Sequence, residues 1–110
     1  MIFVTGPLYA GKREYIRNSL GLSETELAAR AVWDVQELAL GADLPALADR
    51  LAQKDIVIAA ELGAGLVPID RTEREKREAA GRLACLLAER ANTVVRVCCG
   101  LGQVLKGKLP

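Results

Sequence analysis

The opening of the chain restricts its fold more than any other feature. A short apolar run of β-forming residues, 2–5, is followed by Gly6-Pro-Leu-Tyr-Ala-Gly-Lys12. A glycine, four residues and a Gly-Lys pair give the spacing of a phosphate-binding loop, which joins a buried strand to the start of a helix. The pattern predicts a strand–loop–helix unit, and such units build sheets covered by helices.

The rest of the chain alternates strands and helices. Such alternation favours βαβ units and a mainly parallel sheet. We predict one α/β domain over residues 1–110, with helices flanking the sheet in the three-layer architecture of P-loop NTPases (RecA-like or Rossmann-type). The predicted helices are 12–20, 23–30, 43–51 and 72–91, and the further strands are 31–35, 55–59, 93–98 and a short edge strand at 103–106.

Composition narrows the functions that the chain can have. Fifteen Lys and Arg residues nearly balance 14 Asp and Glu residues, so neither a nucleic acid nor a membrane surface is the expected partner. The apolar start is too short for a signal peptide or a membrane span, and we expect a cytoplasmic protein. No histidine is present, which removes histidine nucleophiles, bases and metal ligands. A domain of this size buries a modest share of its surface, which leaves a homo-oligomer open.

The three cysteines show no metal-ligand spacing. Cys98 and Cys99 are neighbours, which rarely bridge each other, and Cys85 stands apart from them. We interpret all three as free thiols that pack as small buried hydrophobes in a reducing compartment.

The loop has the groups that hold nucleotide phosphates. Backbone N–H groups at the loop and at the helix N-terminus point towards an anion, and Lys12 would reach the outer phosphates. Pro7 contributes no N–H, and Arg13 stands where a Ser or Thr hydroxyl would hold Mg²⁺. Arg13 either contacts phosphate directly or is a solvated residue of the first turn. The nucleotide-binding residues are predicted to be Gly6, Pro7, Leu8, Tyr9, Ala10, Gly11, Lys12 and Arg13.

Two carboxylates follow predicted strands. Asp34 lies at the end of the second strand and Glu61 comes just after the third. Carboxyl ends of parallel strands meet at one edge of a sheet, so both side chains are expected near the loop. Asp34 is the candidate for holding Mg²⁺ through water, since the hydroxyl ligand is missing. Alternatively, Asp34 caps the next turn and Glu61 braces the glycine-rich loop that follows it.

A family resemblance runs along the second half of the chain. Glu61-Leu-Gly-Ala-Gly-Leu-Val-Pro68 precedes a helix with Arg71 and Gly81-Arg82, and the chain closes with Gly102, Leu105 and Lys106. With the opening loop, this pattern resembles the adenosylcobinamide kinase/adenosylcobinamide-phosphate guanylyltransferases of cobalamin biosynthesis. Ala60, Ala84 and Cys85 depart from it, because the family has Asn, Asn and Gln there.

The resemblance implies ATP-binding or GTP-binding and phosphoryl transfer to an alcohol of a corrinoid (cobinamide). Phosphoryl transfer depends mostly on positioning and charge. Lys12, Asp34 and Glu61 would be the catalytic residues, with Glu61 serving the Mg²⁺ ion or orienting the accepting hydroxyl. The family's second step passes GMP through a histidine, which this chain does not have. Further candidates at the glycine-rich loop and substrate are Gly63, Gly65, Arg71 and Arg82, for which turn geometry and a solvated helix face are the alternatives.

Three hypotheses remain open from the sequence. The first is a kinase-like transferase, or a degenerate relative of one. The second is a module or partner subunit that binds a nucleotide or phosphate without turnover. The third is an interaction protein in which the loop is an inherited turn and the long charged helix forms the contact surface.

Overall fold

Five strands form a mostly parallel sheet with β1 at its centre. In this computed structural model, which describes residues 1–62 and 70–110, the strand order is β2-β3-β1-β4-β5. β1 pairs in parallel with β3 and β4, β2 pairs in parallel with β3, and β5 runs antiparallel to β4. The strands are β1 (Ile2–Pro7), β2 (Ala31–Val32), β3 (Ile56–Glu61), β4 (Thr93–Cys98) and β5 (Leu101–Lys106). The helices are α1 (Lys12–Leu20), α2 (Glu24–Arg30), α3 (Leu44–Leu51) and α4 (Arg71–Arg90).

Each face of the sheet carries its own apolar core. Because strand side chains alternate between faces, Phe3 and Val4 of β1 enter different cores. The core around Phe3 includes residues of α3 and α4, among them Leu47 and Leu83, and the core around Val4 includes Ile16 of α1 and Leu27 of α2. The helices therefore lie in two layers around the sheet, and the predicted α/β class and three-layer architecture are confirmed.

Helix starts follow from local capping. Ser23 and Glu26 form the predicted capping box of α2, with each side chain bonded to the backbone N–H of the other residue. Asp43 and Asp70 accept hydrogen bonds from the first turns of α3 and α4. At the start of α1, Gly11 occupies the cap position without a side-chain bond to the open N–H groups.

The predicted second strand is too long. β2 ends at Val32, and a 3₁₀ turn covers Val35–Leu38. Asp34 has a φ of 57°, which is left-handed and ends the extended backbone. The buried Gln36 side chain then accepts a hydrogen bond from the backbone N–H of Ala60 at 2.9 Å, where a longer β2 would otherwise have paired. A side chain replaces the strand here, which the apolar pattern does not reveal.

The interpretation of the cysteines as core residues is also wrong. All three are free, but Cys85 and Cys99 are exposed and Cys98 is half-buried. Cys85 lies on the outer side of α4, and Cys99 has a φ of 53° in the turn between β4 and β5. Cysteine type alone does not fix burial when the backbone directs the side chain outwards.

α4 is the longest described helix and is amphipathic only in its second half. Ala80, Leu83 and Leu87 are buried, as the predicted stripe requires, and the first half is exposed and charged. None of the helices in the two described ranges combines enough length with enough apolar character to cross a membrane.

Candidate functional site

The loop after β1 has a defined backbone that joins it to a second turn. Tyr9 has a φ of 59° and its side chain is fully exposed, while Gly11 has a φ of 85°. Such left-handed backbone is easy for glycine and uncommon for tyrosine. The carbonyl of Ala10 accepts a hydrogen bond from the N–H of Gly100 at 2.8 Å. The loop is therefore attached to the β4–β5 turn on one side and to α1 on the other.

Lys12 is buried at the base of this loop. The residue is only 9% exposed, and its Nζ donates a hydrogen bond to the Pro7 carbonyl at 2.6 Å. Burial lowers the pKa of Lys12 below its usual 10.5, and the Asp34 and Glu61 carboxylates partly oppose that effect. The ammonium is therefore partly desolvated, and the two carboxylates do not fully offset the cost of burying its charge.

An open cleft of about 540 Å³ lies over the loop, at the carboxyl edge of the sheet. This edge is where parallel α/β sheets bind their ligands. Asp34 borders the cleft and is exposed, and its side chain makes no cap bond to the 3₁₀ turn that follows. The cleft is lined by Leu8, Tyr9, Ala10, Gly11, Lys12, Arg13, Glu14, Trp33, Asp34, Ile58 and Ala60.

Glu61 is engaged by an arginine from β4. Arg96 donates to both carboxylate oxygens, with Nε to Oε1 at 2.7 Å and Nη2 to Oε2 at 2.9 Å. These bonds lower the pKa of Glu61 below 4.5, with a smaller contribution from Lys12. The third nitrogen of the guanidinium, Nη1, lies 3.0 Å from the sulfur of Cys98. Since β1 lies between β3 and β4, the ion pair passes over the strand that bears the loop.

Arg13 stacks on an aromatic ring. Its guanidinium carbon lies 4.5 Å from the centroid of Trp33, which is cation–π geometry. Both residues border the cleft that also contains Lys12 and Asp34. Arg13 is therefore held at the rim of the cleft by Trp33.

The remaining sequence candidates lie apart from this cluster. The side chain of Arg71 is 85% exposed and pairs with Glu75, while Arg82 pairs with Glu78. Arg82 borders a different, mainly apolar groove of about 720 Å³ between α3 and α4. Gly63 and Gly65 lie outside the described residues. The structure thus brings together the loop, Asp34 and Glu61, and separates Arg82 from them.

Two residues of the site, Trp33 and Arg96, were not predicted from the sequence. Each carried a signal. Trp33 is the chain's single tryptophan and directly precedes Asp34, and Arg96 is the one charged residue of the strand at 93–98. A charged or very large side chain near the carboxyl end of a strand is unfavourable to bury, so its presence there indicates a specific contact at the site.

The donor set does not fit a conventional Mg²⁺ site. Mg²⁺ prefers about six oxygen ligands in a near-octahedral arrangement. Position 13 offers a cation instead of a hydroxyl, and Arg96 occupies both oxygens of Glu61. Asp34 remains as one carboxylate at the cleft, and no group of three or more Cys, Asp or Glu side chains within residues 1–62 and 70–110 is placed to hold a metal ion.

Comparison with known proteins gives one family. The family described as cobinamide kinase / cobinamide phosphate guanyltransferase matches residues 18–105, from within α1 to β5. The bifunctional adenosylcobalamin biosynthesis protein CobU of Escherichia coli (strain K12) is 37% identical over 79 residues. That alignment covers 67% of this chain and 44% of the relative, so the chain spans less than half of the relative's length. The resemblance noted in the sequence is confirmed, and the chain belongs to the cobinamide kinase / cobinamide phosphate guanyltransferase family.

Proposed function

We propose that the chain binds a nucleoside triphosphate, ATP or GTP, at residues Gly6 to Arg13. We further propose that it transfers the terminal phosphoryl group to a hydroxyl of a corrinoid such as cobinamide. Membership of the family supports the substrate class. The family match begins at residue 18, so the case for the loop rests on the geometry of the loop itself.

The placement of the Lys12 ammonium carries the proposal. A lysine ammonium has three donors, and the Pro7 carbonyl accepts from one of them at 2.6 Å. Burial penalises its charge, as the lowered pKa indicates. A phosphate oxygen in the cleft would accept from the remaining donors and compensate the charge. An anion is the ligand that relieves this arrangement.

Asp34 is our candidate for the accepting side of the reaction. The hydroxyl oxygen of the acceptor attacks the terminal phosphorus, the bond to the bridging oxygen breaks, and the nucleoside diphosphate leaves. The hydroxyl proton passes to the Asp34 carboxylate, which borders the cleft. Glu61, held by Arg96, acts through its charge on Lys12 and offsets part of the cost of burying that ammonium.

Guanylyl transfer through a histidine is outside this proposal, because the 110 residues contain none. The chemistry available is direct transfer between nucleotide and acceptor, with no covalent intermediate on the protein. This assignment leaves Lys12 as the principal phosphate ligand and Asp34 as the group that orients the acceptor.

A second candidate function is nucleotide or phosphate binding without turnover. The Arg96–Glu61 pair favours it, because both oxygens of one expected catalytic carboxylate are occupied. In that case the chain would act as a binding module or as a subunit for a partner.

Calorimetric titration with ATP and GTP, followed by an assay for phosphorylated cobinamide, separates these functions. Lys12→Ala should weaken binding about tenfold or more, because a charge-assisted bond contributes about 1.5–3 kcal/mol. Lys54→Ala is the matched control, since Lys54 is exposed just before the start of β3, at the edge of the sheet opposite to the cleft. Binding with product formation supports the kinase, and binding without product supports the second candidate. No binding of either nucleotide by the wild-type chain would contradict both.

A further inference from the structure

The stacking of Arg13 on Trp33 leaves its hydrogen-bonding edge open. The guanidinium carbon lies over the indole, 4.5 Å from the ring centroid, and the N–H donors of a guanidinium extend outwards in its plane. Among the residues that the structure describes, none accepts a hydrogen bond from Arg13, and nearby Glu14 pairs with Arg17 instead. The planar fork therefore keeps its donors for a ligand in the adjoining cleft.

The guanidinium of Arg13 lies where a triphosphate bound in the cleft would need positive charge. Lys12 lies at the base of the cleft and Arg13 at its rim. Asp34 also borders the cleft, and no described Lys or Arg side chain forms an ion pair with it. A triphosphate carries several negative charges, which proteins neutralise with Lys, Arg or Mg²⁺. Two cations that border the cleft, each held by a contact within the chain, supply this charge from the chain itself.

Trp33 determines where the charge lies. An unsupported arginine at an exposed first helical turn would sample many rotamers, and ordering it on binding would cost free energy. Stacking restricts the guanidinium before a ligand arrives. The tryptophan therefore acts as a positioning residue for Arg13.

We infer that Arg13, held by Trp33, takes the place of Mg²⁺ and lets the chain bind a triphosphate without a divalent metal ion. The inference rests on the proposed nucleotide site and deepens it. It follows from the same donor set that fails to make a magnesium site: a guanidinium at position 13 and a Glu61 already engaged by Arg96. The ligand class is a triphosphate, recognised through bidentate contacts with its oxygens.

Titrations of GTP, ATP and inorganic tripolyphosphate in EDTA and in MgCl₂ test the inference. Trp33 is the chain's single tryptophan, so its fluorescence reports directly on the arginine stack. The wild-type chain should bind tripolyphosphate in EDTA at least as tightly as in MgCl₂, with a change in emission. Arg13→Ala should weaken binding in EDTA about 10-fold to 100-fold, and Arg13→Lys should recover part of the loss, since it keeps the charge and loses the fork.

Three further variants make the result specific. Trp33→Phe should reduce the affinity in EDTA by a smaller factor, and Arg13→Ser, which restores a hydroxyl, should make binding depend on MgCl₂. Arg30→Ala removes an exposed arginine that pairs with Asp55 and should leave all affinities unchanged. Thermal melts of each variant confirm that the fold is retained.

The outcomes distinguish this inference from the proposed function. Wild-type binding that requires MgCl₂ overturns the inference and leaves the nucleotide site standing. An unchanged affinity of Arg13→Ala in EDTA overturns it as well. Loss of binding in Lys12→Ala together with metal-independent binding that is sensitive to Arg13 supports both. Failure of the wild-type chain to bind any of the three probes overturns both.

Discussion

Gly6 is required by strand packing before it is required by any ligand. A Cβ built on Gly6 would lie 2.1 Å from the Val97 carbonyl oxygen of β4, a distance that real Cβ contacts do not show. The φ of Gly6 is also +151°, where L side chains are strained. Overpacking costs about 1–3 kcal/mol and unusual backbone about 1–3 kcal/mol more, so Gly6→Ala should lose about 2–6 kcal/mol.

Two other glycines provide matched comparisons for that substitution. At Gly11 an added Cβ would meet Gly100 Cα at an ordinary 3.5 Å, so Gly11→Ala carries only the cost of its φ of +85°, about 1–2 kcal/mol. At Gly81, inside α4, an added Cβ meets nothing within 4 Å. Gly81→Ala should therefore stabilise the chain by about 0.5–1 kcal/mol, because alanine is the better helix former.

Urea unfolding followed by circular dichroism and Trp33 fluorescence measures this series. The free energy of unfolding should rise in the order Gly6→Ala, Gly11→Ala, wild type, Gly81→Ala, with similar m values if unfolding stays two-state. A Gly6→Ala variant as stable as Gly11→Ala would refute the close approach of β1 to the Val97 carbonyl. Because Gly6→Ala disturbs strand packing, a loss of nucleotide binding in that variant would reflect its folding. Gly11→Ala causes no such clash and tests the loop more directly.

Two more predictions concern the ion pair and the core. Because Arg96 lowers the pKa of Glu61, the pair contributes stability above pH 4.5 that is lost as the pH falls through the lowered value. Thermal melts should show the wild-type chain more stable than Glu61→Gln at pH 7 and the difference shrinking below pH 4.5; a constant difference would contradict the ion pair. Leu83→Ala should cost about 2–5 kcal/mol in urea unfolding, because Leu83 is 1% exposed. Leu101→Ala, at a residue 75% exposed, should cost less than about 1 kcal/mol, and equal costs would contradict the assigned core.

Long periodic segments allowed most of the fold to be predicted from sequence. The strand at 93–98 and the helix at 12–20 agree with the structure, because a continuous apolar run and a glycine stop are local signals. The helix from 72 to 91 is shifted by one residue, since Asp70 caps its start. The edge strand begins at Leu101, two residues earlier than predicted, where pairing with Cys98 extends it.

The site was harder to predict because its contacts are long-range. The carboxyl ends of the strands placed Asp34 and Glu61 near Lys12, as expected from the topology. The partners of the charged side chains could not be predicted in this way, because they are distant in sequence: Arg96 lies 35 residues after Glu61, and Trp33 lies 20 residues after Arg13. Gln36 shows the same limit, since a buried amide that completes a sheet edge leaves no periodic signal.

The bidentate ion pair between Arg96 of β4 and Glu61 of β3 ties together the strand ends at the base of the site. Arg96 and Glu61 lie on the two strands that flank β1, so separation of these strand ends would break a bidentate ion pair as well as the backbone ladders. Adaptation to a ligand therefore falls to the exposed side chains of the loop, Leu8 and Tyr9, because Trp33 already holds Arg13. If the strand ends stay in place while the loop side chains move, the same cleft would accept different nucleosides and still hold the phosphate groups in one position.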